Sequence, residues 1–190
     1  MTADIDSSFY DIDNDTVYFT RAEYLYSFTN TGLERIVKRL YGYHVSDVFP
    51  GVAPDINAAF YYRPNSTVYF FRQYHYWAYD MGHRHRTGSL QAQPLKGYPR
   101  LITDFEGMPA NIDAIYSDNS GTYHIFYGVF FATFTDDQFK IGMKLEFKLS
   151  SVDFFGCNPY IYGDYKQYKN NNGNRIWSDL CQQITRTNRL

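Results

Sequence analysis

Cysteine is scarce in this chain: only Cys157 and Cys181 occur in 190 residues. Two are too few for a disulfide scaffold or for a cysteine-rich zinc site. Charge of either sign is not in excess, with 18 Lys and Arg against 20 Asp and Glu, a net −2. That leaves no electrostatic case for nucleic acid or for an anionic membrane surface. No apolar run reaches the length of a transmembrane helix, so membrane insertion is not expected. The start, Met1-Thr2-Ala3-Asp4, has neither a basic segment nor an apolar stretch, so no signal peptide is expected in this chain. The protein then either stays inside the cell or is a mature fragment. The His-Glu-x-x-His zinc motif, the Gly-x-Ser-x-Gly elbow and a phosphate-binding glycine loop are all missing. Their absence removes the sequence grounds for a metalloproteinase, serine-hydrolase or nucleotide-hydrolase site.

What the chain has is aromatics, 20% of its residues, with 20 Tyr and 16 Phe. Such residues suit pleated, half-buried strands and argue against disorder. One phrase recurs four times: an aliphatic residue, then Asp or Asn, then small or apolar residues ending in an aromatic. The copies are Ile5-Asp6-Ser7-Ser8-Phe9, Ile56-Asn57-Ala58-Ala59-Phe60, Ile112-Asp113-Ala114-Ile115-Tyr116 and Val152-Asp153-Phe154-Phe155. The steps between the acidic or amide positions are 51, 56 and 40 residues. A near-regular period of this size marks a repeat architecture whose units share a core.

A turn and a second aromatic strand follow each phrase. The turns are Asp11 to Asp15, Arg63-Pro64-Asn65-Ser66, Asp118-Asn119-Ser120-Gly121 and Gly156-Cys157-Asn158-Pro159. Such clusters between β-rich runs signal hairpins. A third strand comes next, at Glu23 to Tyr26, His75 to Tyr79, Phe130 to Phe134, and more weakly at Lys166 to Tyr168. Each unit therefore reads as a three-stranded meander with an outer segment. Two outer segments are predicted helical, Gly32 to Leu40 and Pro99 to Phe105, with Pro99 in the first turn. Met81 to Gln93 is polar, basic and unpatterned, and reads as an exposed loop. Four meanders predict an all-β, four-bladed propeller, because radial repetition leaves only short, protected edges. The blades fall at about 1–52, 53–109, 110–149 and 150–190, with Ile5, Ile56, Ile112 and Val152 on the innermost strands. An irregular β-sandwich is the competing arrangement, but it does not explain why one phrase opens every unit.

The chain resembles a hemopexin-like domain, the propeller of matrix metalloproteinase C-termini, vitronectin, hemopexin and some seed albumins. The most specific residues are Gly97-Tyr98-Pro99-Arg100-Leu101-Ile102, then Phe105-Glu106-Gly107-Met108-Pro109-Ala110-Asn111-Ile112-Asp113-Ala114. Val48-Phe49-Pro50-Gly51 to Phe60 repeats that junction before the second blade. The resemblance implies a Ca²⁺ or Na⁺ ion in the central channel, held by backbone carbonyls of Asp6, Asn57, Asp113 and Asp153. Oxygen donors in a ring suit such a hard cation. The amides two residues on, at Ser8, Ala59, Ile115 and Phe155, are expected to face an anion or water. The family's second cysteine matches Cys181, and no Cys precedes Asp6. The partner of Cys181 then lies upstream, or is Cys157, or both thiols are free. A Cys157–Cys181 bridge closes about two dozen residues, worth about 3 kcal/mol in the loop-entropy picture.

Catalytic constellations are poor, so no enzymatic activity is expected of this domain, whether or not a zinc metalloproteinase parent carries it. Of five histidines, His83 and His85 alternate with Arg84 and Arg86. These four residues are candidate contacts for a protein partner, or for heme, although heme binding is not the favoured reading. His75 and His124 read as ordinary strand residues, and Asp136-Asp137 as a solvated turn. Two sequons, Asn14-Asp15-Thr16 and Asn65-Ser66-Thr67, occupy matching turns and are glycosylation candidates in a secreted protein. The expected function is a secreted, non-catalytic interaction domain for a matrix protein, an inhibitor, a cell-surface protein or a second copy of itself. The alternative is a stand-alone carrier of heme or polyamine, or a defence protein.

Overall fold

The computed structural model describes residues 5–29, 42–118 and 120–149. The fourth repeat, the segment from Gly32 to Leu40 and both cysteines lie outside them. The described residues form three twisted antiparallel sheets, or blades, in chain order. The first holds β1 (Ser7–Asp11), β2 (Thr16–Arg21), β3 (Tyr24–Thr29) and β4 (Tyr43–His44). A short helix, α1 (Val45–Val48), leads to the second. That blade holds β5 (Ala58–Tyr62), β6 (Thr67–Arg72) and β7 (His75–Asp80), then α2 (Met81–Thr87), β8 (Gln93–Pro94) and β9 (Arg100–Leu101). The third holds β10 (Ala114–Ser117), β11 (Thr122–Tyr127), β12 (Phe130–Thr135) and β13 (Lys148–Leu149).

The three-stranded meander holds in every described blade, and the outer segment of each adds a short further strand. The innermost strands pack side by side, β1 against β5 and β5 against β10. This is the arrangement of a propeller seen from its axis. The aliphatic residue of the phrase does not lie on the strand itself. β1, β5 and β10 begin two residues later, and Ile56 and Ile112 are buried beneath the corner that precedes them.

Strand alternation divides the core in two. Along a strand, successive side chains point to opposite faces. Val68 and Phe70 of β6 join Phe9, Tyr18, Leu25 and Phe49 between blades one and two. Tyr69 and Phe71 of the same strand join Phe60, Tyr123, Ile125 and Phe134 between blades two and three. β6 is buried along both faces for this reason. Rings interlock across each joint: Phe9 meets Phe70 edge-on at 5.7 Å, and Phe60 meets Tyr123 edge-on at 5.1 Å. Such pairs add to the roughly 2 kcal/mol that burying each ring contributes.

Two expectations are corrected. Pro99 to Phe105 is not a helix. Arg100–Leu101 pairs with β7, and only Ile102–Asp104 turns, as a single 3₁₀ turn. A helix this short is marginal alone, and sheet pairing offers its backbone better partners. Nor is Met81 to Gln93 an open loop. Its first half is α2, started by Asp80, whose Oδ1 accepts from the His83 amide at 2.9 Å, and ended by left-handed Gly88. Met81 is fully buried against the first inter-blade core. At the second junction, Gly107 has φ +82, and a Cβ there would sit 2.6 Å from the Leu145 carbonyl oxygen. Only glycine fits this approach of the junction to blade three.

Candidate functional site

At the axis, Asp6, Asn57 and Asp113 occupy the same corner of three successive blades. Their amides donate to the carbonyls of Thr20, Phe71 and Phe126 at 3.0, 2.9 and 2.9 Å. Their side chains also do the same work. The Asp6 carboxylate accepts from the Ala22 amide, Asn57 Oδ1 from the Gln73 amide at 2.9 Å, and Asp113 Oδ2 from the Gly128 amide at 2.5 Å. Ala22, Gln73 and Gly128 each open the two-residue turn between the second and third strands, with left-handed φ of 50, 51 and 56. The phrase's polar residue thus ties its own blade's hairpin, and an amide oxygen serves as well as a carboxylate.

Those side chains are engaged within their own blades. A cavity of about 290 Å³ at the mouth of the axis is lined by Asp6, Asp55, Ile56, Asn57, Ile112 and Asp113. Another, of about 220 Å³, runs past Ser8, Ala59 and Ile115, where the inward amides were expected. Three carboxylate residues, Asp6, Asp55 and Asp113, line the mouth, and oxygen donors of this kind suit a hard cation. Asp153 and Phe155, the fourth members, lie outside the described residues.

A second cluster lies between blades one and two. Asp11 ends β1 and is fully buried; Asp13 stands in the turn that follows; His85 projects from α2. His85 Nε2 lies 2.6 Å from Asp11 Oδ2. Asp13 Oδ2 accepts from the Tyr61 hydroxyl at 2.5 Å and the Ser66 hydroxyl at 2.8 Å. Burial pushes the Asp11 carboxyl above its ordinary range, opposed by His85, whereas the Tyr61 hydroxyl holds the Asp13 carboxyl below it. Burial, reinforced by Asp13, pushes the Tyr61 phenol well up.

The four candidate contacts of the basic stretch separate accordingly. Two apart on a helix, His83 and His85 point to different sides. Arg84 is tied to blade one, its Nη1 donating to the Tyr18 hydroxyl at 2.5 Å. Arg86 is exposed, 3.8 Å from Asp80. The pairing of His85 with Asp11, and its approach to Asp13, were missed from sequence, because the partners lie more than seventy residues apart. The only local hint was Asp11-x-Asp13 in the first turn.

Other marked residues have structural work. The Nδ1 of His44 accepts from the Ser46 amide at the start of α1. His124 pairs with Asp118 at 3.1 Å and stacks on Tyr116. Asp136 accepts from the Tyr123 hydroxyl, and its carbonyl from that of Tyr62. Asn14 and Asn65 are exposed in matching turns, as expected of the two sequons. A cavity of about 620 Å³ on the outer side of blade three is lined by none of the candidate site residues.

Comparison with known proteins agrees with this geometry. Residues 56–110 match the Hemopexin family profile. Interstitial collagenase of Equus caballus is 35% identical over 94 residues, 47% of this chain and 18% of the collagenase, so the match spans less than a fifth of that relative. Among solved structures, the hemopexin fold protein CP4 from cow pea superposes with a TM-score of 0.62 at 18% identity, over 82% of this chain and 72% of its own. The seed albumin LS24 from Lathyrus sativus gives 0.62 at 21%, over 80% and 70%. A plant lectin with two metal binding sites from Cicer arietinum gives 0.60 at 20%, over 78% and 69%. At these identities the structural likeness concerns the fold.

Proposed function

Because this chain carries a hemopexin-like domain, we propose that it is a non-catalytic interaction module whose blades are fastened by a cation on the axis. The observation that carries the reading is the commitment of its conspicuous polar side chains to structure. Asp6, Asn57 and Asp113 hold hairpins, Asp104 joins Arg100 to Tyr76, and Asp136 joins blades two and three. What remains for function is the blade surface, where protein partners dock.

The cation is Ca²⁺ or Na⁺, held by main-chain oxygens of Asp6, Asn57, Asp113 and Asp153. The amides of Ser8, Ala59, Ile115 and Phe155 meet an anion or water further along the channel. Residues 150–190, where the fourth blade is expected, and Cys181 lie outside the described residues. The partner is a matrix protein or an inhibitor, and the setting is extracellular, in a metalloproteinase-like parent. The likeness to a collagenase supports that parentage over a stand-alone carrier or defence protein. Heme carriage is less well supported, because His85, one of its two candidate ligands, is paired with Asp11.

The test uses the purified chain on immobilised fibrillar collagen and gelatin, with peptide and ester substrates assayed in parallel. Saturable capture without turnover is expected. Turnover, or a sharp Soret band with heme and no matrix capture, would overturn the reading.

A further inference from the structure

We infer that Asp11, Asp13 and His85 form a second cation site, off the axis, for a divalent first-row transition metal such as Zn²⁺. The site joins the first hairpin of blade one to α2 of blade two. It is independent of the axial ion, which uses main-chain oxygens and none of these residues.

The first observation is convergence. One ligand atom from each residue lies within 4.8 Å of the others, although the residues come from two blades. The second concerns Asp11. Its side chain is 0% exposed. One carboxylate oxygen meets His85, and the other, Oδ1, is buried without a hydrogen-bond partner. The Asn14 amide passes close by, but it donates to the Asp11 carbonyl instead, at 3.3 Å. A buried carboxylate oxygen left unsatisfied is costly, and a bound cation removes that cost.

The chemistry of the three groups selects the metal. One imidazole with two carboxylates suits Zn²⁺ and its first-row neighbours better than Ca²⁺, which takes six to eight oxygens. The surroundings resemble the outer shell of such sites, where hydrogen bonds orient the ligands. The Tyr61 and Ser66 hydroxyls both hold Oδ2 of Asp13, and Arg84 anchors α2 to Tyr18. Burial is graded across the cluster: Asp11 is buried, His85 intermediate and Asp13 exposed. The metal would therefore be gripped from inside and keep water on its outer side. On binding, the Nε2–H bond of His85 breaks and the nitrogen lone pair goes to the metal. The proton moves to Nδ1 or to solvent.

The chain is stripped with chelator, returned to buffer with saturating Ca²⁺ to occupy the axis, and titrated with Co²⁺, whose visible absorption reports nitrogen and oxygen ligation. Wild type is expected to take up one equivalent, which Zn²⁺ displaces, and Zn²⁺ should raise its melting temperature. His85→Gln and Asp13→Asn should each weaken uptake by more than about tenfold. His83→Gln, on the other side of α2, should not. Both ligand variants sit at the accessible side, and their circular dichroism verifies folding without metal. Should either variant fail to fold, the other still decides the matter, since Co²⁺ uptake must fall in it and not in His83→Gln. No Co²⁺ uptake by wild type would overturn the site, as would uptake unchanged in His85→Gln or lost only in His83→Gln.

Discussion

Asp6, Asn57 and Asp113 each make two bonds, one from the amide to the second strand and one from the side chain to the turn beyond it. The turn residue there is left-handed, so its amide faces inward and needs an acceptor. Either an amide or a carboxylate oxygen suffices, which accounts for Asn at 57. Asn57→Ala should therefore destabilise the chain by about 1 kcal/mol, read as a lower urea midpoint. Asn57→Asp should leave the midpoint nearly unchanged. Equal losses from both substitutions would mean that the Gln73 amide does not depend on this bond. At this scale the repeat was legible because the phrase recurs in sequence. Its purpose was not, because the acceptor and its amide lie 15 or 16 residues apart across a hairpin.

Among elements, the strands were the most legible. Alternation and turn residues placed β1 to β3, β5 to β7 and β10 to β12 within a few residues of their bounds. Helix α2 was not legible from periodicity, since Met-Gly-His-Arg-His-Arg-Thr has no apolar stripe. Its ends were marked nonetheless, by Asp80 before it and Gly88 after it. The helix matters because it carries Arg84 and His85 to blade one. Asp80→Ala removes the cap on the His83 amide and should cost about 1 kcal/mol in thermal or urea unfolding. It should also quicken hydrogen exchange in 81–87 ahead of the rest of blade two. Unchanged exchange there would show that burial of Met81 alone holds the helix. The predicted helix at Pro99 failed for the opposite reason. A helix-start proline was present, but β7 offered an edge to pair with, and a segment of seven residues cannot outweigh that pairing.

On the scale of the molecule, the three described blades share two cores through a sheet that is buried on both faces. The repeat period foretold this, because a unit of about fifty residues cannot bury both faces of its sheet alone. The inter-blade cluster was beyond sequence reading, because it depends on two hairpins from different blades meeting side by side. The central claim is that equivalent corners of successive blades hold a cation through their main chain. Anomalous difference density from a crystal grown in Ca²⁺ tests it most directly. The expected result is a peak in the channel beside β1, β5 and β10, within about 2.3–2.6 Å of the carbonyl oxygens of Asp6, Asn57, Asp113 and Asp153. A channel without a cation at saturating Ca²⁺ would contradict it. So would an ion held by the Asp6 and Asp113 carboxylates, with the Ala22 and Gly128 amides released.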